Sequence, residues 1–167
     1  LSSAASDVYK RQLYMAGKYQ VDGILMDIGV SSTQLDDETR GFSYRFDTRL
    51  DMRMDKSSPL SAYEVVNEYP EEKLSKIIYE YGEERFARKI ARFICEERDK
   101  KKIETTGELV EIIRRAYTGK TQKHPAKKTF QAIRIEVNKE LEVLEIAIEK
   151  AVKCLKKGGR LAIITFH

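Results

Sequence analysis

Val21-Asp-Gly-Ile-Leu-Met-Asp27 is a short apolar run that ends in an acid, and Ile28-Gly-Val-Ser-Ser32 follows it directly. This pattern is typical of a buried parallel strand that carries Asp27 at its carboxyl end. A second apolar run over 160–166 follows Gly158-Gly159 and a helical pattern. We interpret it as a helix, a glycine cap and another buried strand. The two runs together predict an α/β fold.

The sequence between the two strands predicts one long loop and several helices. Residues 34–56 mix charged and aromatic side chains without a period, and a loop of that length is usually functional or ordered by a ligand. Helices are predicted from Pro59, from Pro70, over 83–99, from the capping box Thr105-x-x-Glu108 to Tyr117, and over 130–157. One crossover helix suffices to join parallel strands, so these helices predict a domain inserted into a doubly wound α/β domain.

The composition excludes several classes of protein. The chain has 167 residues and a net charge of 31 − 27 = +4, with 41% hydrophobic and 35% charged residues, so it is about one domain in length. No run approaches the roughly 18 apolar residues of a membrane-spanning helix. Cys95 and Cys154 lie far apart and only two histidines are present, which argues against a disulfide scaffold and a zinc site. The charges are mixed, so they give only a mild indication of an anionic partner.

Both ends of the sequence suggest a piece of a longer protein. Residues 1–12 show no apolar period and no secretory signal, and are interpreted as a disordered terminus or as a translated sequencing-adaptor junction. The chain starts without Met and stops just after the second strand. We therefore expect truncation on both sides.

Asp27 is the first candidate for chemistry. Ligands of open α/β sheets bind beyond the carboxyl ends of the strands, and the small residues 29–32 would let backbone amides approach a ligand there. The Asp27 carboxylate could accept hydrogen bonds from an amine or a hydroxyl. The alternative is that Asp27 only caps the next turn.

Three groups of cations are candidates for binding a polyanion. Arginines alternate with aromatic residues over 40–53, which suits stacking on unpaired bases, although a solvated loop with its aromatics tucked inwards explains the pattern equally well. A basic segment over 119–128 is a phosphate-binding candidate, in which His124 is expected to orient the loop. A polar helix face over 85–92 is either solvated surface or an RNA contact. The cations of the three groups are Arg40, Arg45, Arg49 and Arg53; Lys120, Lys123, His124, Lys127 and Lys128; and Arg85, Arg88, Lys89 and Arg92.

Six separated motifs resemble the signature of one protein family, the bacterial 16S rRNA (cytosine-N4) methyltransferases, or RsmH (MraW) family. The resemblance covers about residues 19–167. The motifs are Asp27-Ile-Gly-Val-Ser-Ser-Thr-Gln-Leu-Asp36, Arg40-Gly-Phe-Ser-Tyr44, Leu50-Asp-Met-Arg-Met-Asp55, Tyr81-Gly-Glu-Glu-Arg-Phe-Ala-Arg-Lys-Ile90, His124-Pro-Ala-Lys-Lys-Thr-Phe-Gln-Ala-Ile-Arg-Ile-Glu-Val-Asn138 and Gly158-Gly-Arg-Leu-Ala-Ile-Ile-Thr-Phe-His167.

The resemblance implies a partial Rossmann-like methyltransferase sheet that uses S-adenosyl-L-methionine and carries an inserted all-helical domain. The sheet domain would comprise 13–40 and 121–167, and the substrate-recognition insertion would comprise 41–120. The implied substrate is N4 of a cytidine in 16S rRNA, and the implied partner is the small ribosomal subunit. The resemblance also implies a cytoplasmic protein without a membrane association, for which a dimer is one possible oligomeric state.

By position, the resemblance assigns cofactor binding to Asp27 and Gln34, with Asp27 also the catalytic candidate. RNA binding is assigned to Arg40, Arg53, Lys123, His124, Lys127 and Lys128, and no metal is expected. The family's glycine-rich cofactor loop is missing, since the sequence contains no Gly-x-Gly. We therefore expect this chain to bind the cofactor weakly or not at all. The alternative function is a non-catalytic basic module that binds RNA or protein.

Overall fold

A computed structural model of the protein describes residues 15, 17, 20–117 and 124–165, without the side chain of Ser32. The described residues form two compact units. The first consists of residues up to Val30 together with those from Lys139 onwards, and the second of Ser31–Asn138. These divisions differ from the predicted boundaries after residues 40 and 120, and the insertion of one domain into another stays a prediction. The predicted tail over 1–12 lies outside the described residues.

The first unit contains two parallel strands, β1 (Val21–Ile28) and β2 (Leu155–Thr165). Their parallel pairing is as predicted, but the predicted burial of the strands is wrong: no residue of β1 or β2 is buried, and Leu25 is 67% exposed. The described residues supply this unit with two strands and one helix, α7 (Glu140–Cys154), which are too few to cover both faces of a sheet.

The predicted glycine cap at 158–159 is wrong, because these glycines lie inside β2. Val21 pairs with Leu155 but Gly23 pairs with Arg160, so β2 contains extra residues at this point. Gly158 adopts φ +84° there, a conformation that favours glycine. The glycines therefore serve an irregularity in the strand register and not a helix end.

The predicted long helix over 130–157 is also wrong, because it is two helices, α6 (Ala126–Asn138) and α7. Lys139 separates them with φ +48°, a left-handed conformation that interrupts the helical hydrogen bonds. Leu141, in the first turn of α7, is 44% exposed. The break falls at the boundary between the two units.

The second unit is helical. It begins with α1 (Ser32–Asp36) and a 3-10 turn (Glu38–Arg40), followed by an extended loop. Four helices then precede α6: α2 (Ala62–Glu68), α3 (Glu71–Glu80), α4 (Ala87–Arg98) and α5 (Thr106–Ala116). The fully buried side chains at the centre of the unit include Leu50, Met52, Leu74, Ile78, Ile90, Ile94, Leu109, Ile113 and Ile133.

Local capping signals fix the helix starts in this unit. The capping box of Thr105 and Glu108 is confirmed at the start of α5, and α3 begins directly after Pro70 as predicted. The helix predicted from Pro59 begins instead at Ala62, because Ser61 forms a capping box with Glu64. The helix predicted over 83–99 is shorter, at Ala87–Arg98.

Candidate functional site

Asp27 lies at the carboxyl end of β1, where it pairs with Ile164 of β2. Its side chain is exposed and forms no hydrogen bond or ion pair with any residue that the structure describes. Ser31, and not Asp27, caps the following helix α1, so the capping alternative is not supported. Gly29 has φ +139°, and no atom lies within 4 Å of where its Cβ would be. The end of the strand therefore offers a carboxylate beside open backbone.

Gln34 is partly used by its own helix. Its Oε1 accepts hydrogen bonds from Ser31 N at 3.0 Å and Ser31 Oγ at 3.2 Å, and its own N–H donates to Ser31 Oγ. This capping box commits the amide oxygen. The Nε2 amide group is what Gln34 can still offer to a ligand, and cofactor binding by Gln34 stays a prediction.

Arg40 donates to the backbone of the loop that follows it. Its Nη2 bonds to the carbonyl of Arg53 at 2.6 Å and to that of Met54 at 3.3 Å. Its guanidinium lies 5.6 Å from the centre of the Phe42 ring, and Phe42 is 6% exposed. Phe42 is therefore buried and not free to stack on a base. This agrees with the alternative of a solvated loop whose aromatic side chains point inwards.

Arg53 holds the same loop from within. Its Nε and Nη2 donate to the two carboxylate oxygens of Asp51 at 2.8 and 2.9 Å, while Nη1 donates to the carbonyls of Lys56 and Ser58. The hydrogen bond from Arg53 lowers the pKa of Asp51. These contacts give Arg53 a structural role in the loop, and contact with RNA by Arg40 or Arg53 stays a prediction.

Asn138 is a loop-holding residue that sequence reasoning missed. Its Oδ1 accepts from Met54 N at 2.7 Å, and its Nδ2 donates to the carbonyls of Met52 at 2.8 Å and Arg134 at 2.9 Å. Met52 is fully buried with φ +59°, so the loop has an unusual conformation where Asn138 binds it. The available signal was its position as the last residue of the His124–Asn138 motif.

The motif over 81–90 packs against the motif over 124–138. A Cβ on Gly82 would lie only 2.5 Å from the carbonyl oxygen of Lys128. Lys128 Nζ in turn donates to the carbonyl of Glu83 at 2.6 Å, so this predicted phosphate ligand already has a partner. The buried carboxylate of Glu84 accepts hydrogen bonds from Phe86 N and Tyr117 OH, and together with burial it raises the pKa of Tyr117. This junction joins the start of α4 to the end of α5.

His124 stacks on Tyr44, with ring centres 4.3 Å apart and planes 12° apart. Its Nδ1 accepts a hydrogen bond from Ala126 N at 3.3 Å. Burial and the charge of Arg114 lower the pKa of His124, so the neutral ring is favoured at pH 7. These contacts support the expectation that His124 orients its segment. Lys127 is exposed, and the candidate Lys123 lies outside the described residues.

The described residues include neither a helix that could span a membrane nor a group of metal-ligating side chains. No helix among them is long and apolar enough to cross a membrane. Across 20–117 and 124–165, no three His, Cys, Asp or Glu side chains form a group that could hold a metal ion. Burial raises the pKa of the Cys95 thiol, which makes it a poor nucleophile.

Comparison with known proteins identifies relatives along nearly the whole chain. A ribosomal RNA small subunit methyltransferase H of Fusobacterium nucleatum is 70% identical over 154 residues, which are 92% of this chain and 49% of the relative. Proteins of the same name from Clostridium botulinum (strain Kyoto / Type A2) and Clostridioides difficile (strain 630) are 65% identical over 150 residues and 55% identical over 161 residues. These alignments cover 89% and 95% of this chain, and 48% and 52% of the relatives.

The chain thus spans about half the length of these curated relatives. The family model described as the MraW methylase family matches residues 2–167. The family resemblance inferred from the six motifs is therefore confirmed. On the extent of this match, the chain belongs to the MraW methylase family.

Proposed function

We propose that the whole protein to which this chain belongs transfers a methyl group from S-adenosyl-L-methionine to N4 of a cytidine in 16S rRNA. The observation that carries the proposal is the exposed carboxylate of Asp27 at the carboxyl end of β1, which has no hydrogen-bond or ion-pair partner among the described residues. Ligands of parallel sheets bind at that end. Membership of the family and the printed name of the relatives support the reaction and the rRNA substrate.

The order of elements supports the finer fold assignment. Five helices of the second unit, α2 to α6, lie in sequence between β1 and β2. These two strands pair directly with each other. A single helix would be enough to connect such strands. We therefore infer a partial Rossmann-like sheet with a helical substrate-recognition insertion. The rRNA substrate implies the cytoplasm and the small ribosomal subunit as partner.

Asp27 has the chemistry that methylation of an exocyclic amine needs. The lone pair of this amine is conjugated into the cytosine ring, so the nitrogen is a poor nucleophile. A carboxylate that accepts a hydrogen bond from the amino group raises the electron density on the nitrogen and fixes its direction. Orienting the two reactants can lower the barrier by roughly 7–11 kcal/mol. No covalent nucleophile is needed, and none is assigned to Cys95 or Cys154.

Asp27, Gly29 and Gln34 each have a chemistry that suits a cofactor contact. Asp27 can accept hydrogen bonds from the cofactor, Gln34 retains an amide donor, and the open space at Gly29 lets a ligand approach the backbone. When bound, the cofactor supplies an electrophilic methyl group on a cationic sulfur. No Gly-x-Gly is present in these 167 residues, so we expect the chain alone to bind the cofactor weakly. Tight binding would contradict this expectation.

A chimera tests the proposed function. The aligned half of the Fusobacterium nucleatum relative is replaced by this chain, and transfer of labelled methyl groups to unmethylated small subunits is measured. We expect the chimera to be active and Asp27→Ala to abolish the activity. Near-normal turnover by Asp27→Ala would remove Asp27 from the site.

Asp22→Ala is the matched control. Asp22 lies on the same strand, is 84% exposed, and forms only a surface ion pair with Lys156 at 3.0 Å. We expect this variant to keep its activity, because it loses the same charge at the amino end of β1, away from the proposed site at the carboxyl end. A folded chimera that binds RNA but transfers no methyl group would instead support the non-catalytic module.

A further inference from the structure

Phe93 of α4 gathers three positive side chains on the surface of the helical unit. The charged groups of Arg115, Arg92 and Lys89 lie 5.2, 5.5 and 5.6 Å from the centre of its ring. Arg115 comes from α5, so the group joins two helices that pack together. These four residues are called the Phe93 cluster below. Contacts with an aromatic face restrict the cationic side chains.

The acidic residues nearby leave part of this charge uncompensated. Arg92 pairs with Glu96 at 3.6 Å, and both side chains are at least half exposed. Arg115 pairs with Glu97 at 2.7 Å, but Glu97 also serves Lys100. The Arg92–Glu96 pair is exposed, and exposed ion pairs contribute little free energy.

Lys89 of the cluster and one further cation of α4, Arg88, have no acidic partner among the described residues. Among residues 20–117 and 124–165, no carboxylate lies within 4.0 Å of the charged group of Lys89 or of its neighbour Arg88. Arg88 is exposed one helical turn before Arg92. The surface around the Phe93 cluster therefore keeps an excess of positive charge.

The end of α5 is held against the start of α6 by a hydrogen bond. Tyr117, just after α5, donates to the carbonyl of Pro125 at 3.2 Å and so holds the two elements together. Arg114, in the last turn of α5, forms an ion pair with Glu111 at 2.6 Å. Lys127 follows on the exposed side of α6. The Tyr117 hydrogen bond links the end of α5, which carries Arg114 and Arg115, to the start of α6, which carries Lys127.

We propose that the Phe93 cluster binds the phosphate backbone of single-stranded RNA. This inference rests on the proposed function and deepens it, because it assigns a contact surface for the RNA substrate to α4 and α5. Two guanidinium groups beside one ammonium group match phosphate oxygens in geometry and charge. Because the ring already restricts the side chains, less conformational entropy is lost on binding.

The salt dependence of RNA binding tests this surface. Fluorescence anisotropy measures the affinity of the 167-residue chain for a short fluorescein-labelled oligocytidine RNA between about 50 and 200 mM salt. In the variant Lys89→Gln/Arg92→Gln/Arg115→Gln, we expect weaker binding and a salt slope lower by about 2, from roughly 0.7 per phosphate contact. The variant Arg92→Lys/Arg115→Lys keeps the charges and should retain most of the slope.

A matched control removes three other charges from the same unit. Lys76→Gln/Lys101→Gln/Lys102→Gln changes exposed lysines outside the cluster, and its slope should equal that of the parent. Thermal unfolding confirms that each variant is folded. Three results would each overturn the proposal. The slope could fall equally in the cluster variant and the control, it could stay unchanged in the cluster variant, or the parent could fail to bind RNA. If the cluster variant loses the parent's binding to poly-L-glutamate but keeps its binding to RNA, the proposal is overturned in favour of an acidic protein partner.

This experiment requires neither cofactor nor methyl transfer, so it separates the two proposals. An inactive chimera with the expected change of slope would refute the methyltransferase function and leave the RNA surface standing. An active chimera with an unchanged slope in the cluster variant would do the reverse.

Discussion

Replacing Asn138 by alanine should release the loop that contains Arg53. Two backbone groups of this loop depend on the Asn138 side chain: the N–H of Met54 at 2.7 Å and the carbonyl of Met52 at 2.8 Å. Alanine offers neither an acceptor nor a donor. Met52 is fully buried, so its backbone carbonyl has limited access to replacement water.

The expected loss of stability follows from these two bonds. A buried polar group left without a partner costs about 1–3 kcal/mol. Both bonds are only partly buried, so we expect a total loss of about 2–4 kcal/mol. For a chain of this size that is a fall in Tm of roughly 5–15 °C.

Urea unfolding measures the free energy, and native-state hydrogen exchange measures the Met54 amide directly. We expect faster exchange at Met54 in Asn138→Ala. Asn138→Asp is the matched control: it keeps an acceptor for Met54 N–H but cannot donate to Met52, so its loss should be intermediate. A change in free energy below about 0.5 kcal/mol in Asn138→Ala, with unchanged exchange at Met54, would refute the reasoning.

Three further predictions concern the same unit. Gly82→Ala should lower the free energy of unfolding by about 1–3 kcal/mol or more, because the new Cβ meets two backbone carbonyl oxygens at 2.5 and 2.7 Å. Gly107→Ala should cost less, since only a movable carboxylate blocks it, and equal losses would contradict this account. Thr129→Val should stabilise by about 1 kcal/mol, because the buried Thr129 hydroxyl has no hydrogen-bond partner in the described part of the chain; destabilisation in urea would refute this. Since folding lowers the pKa of His124 from 6.5, the free energy of unfolding should fall as the pH drops below about 6.5. The variant His124→Gln should lack this part of the pH dependence when unfolding is measured across this range. Identical pH profiles of the variant and the parent would contradict this prediction.

Short-range patterns predicted the elements that they determine. The apolar run over 21–27 and the run over 160–166 predicted two parallel strands, and the Thr105–Glu108 capping box predicted the start of α5. Each of these signals lies within a few residues and needs no tertiary partner. The position of Asp27 at the carboxyl end of β1 followed from the same local reasoning.

Long-range contacts determined what could not be predicted. Met54 and Asn138 are 84 positions apart, so no local pattern indicates that the Asn138 side chain accepts a hydrogen bond from Met54 N. The turn after Met54 is likewise held by Arg53, which binds the carbonyl of Ser58 and precedes the true helix start at Ala62. Arginine patterns could not show whether Arg40 and Arg53 face RNA or backbone carbonyls, because both partners suit a guanidinium equally well.

Motifs of the family resemblance converge in the structure for a physical reason. Residues of the 50–55 motif bind Asn138, and those of the 81–90 motif pack against Lys128. Both contacts end on α6, so this helix is the common support of the loops. Much of the recognisable sequence therefore maintains the geometry of the helical unit.

Nucleoside mass spectrometry of the methylated RNA tests the central claim most directly. Small subunits treated with the chimera are digested to nucleosides, and each methylated nucleoside is identified and counted. The account predicts N4-methylcytidine from 16S rRNA, present with the parent and with Asp22→Ala and missing with Asp27→Ala. Methylation of a different base, of a ribose or of a ribosomal protein, or N4-methylcytidine at parent levels in Asp27→Ala, would contradict it.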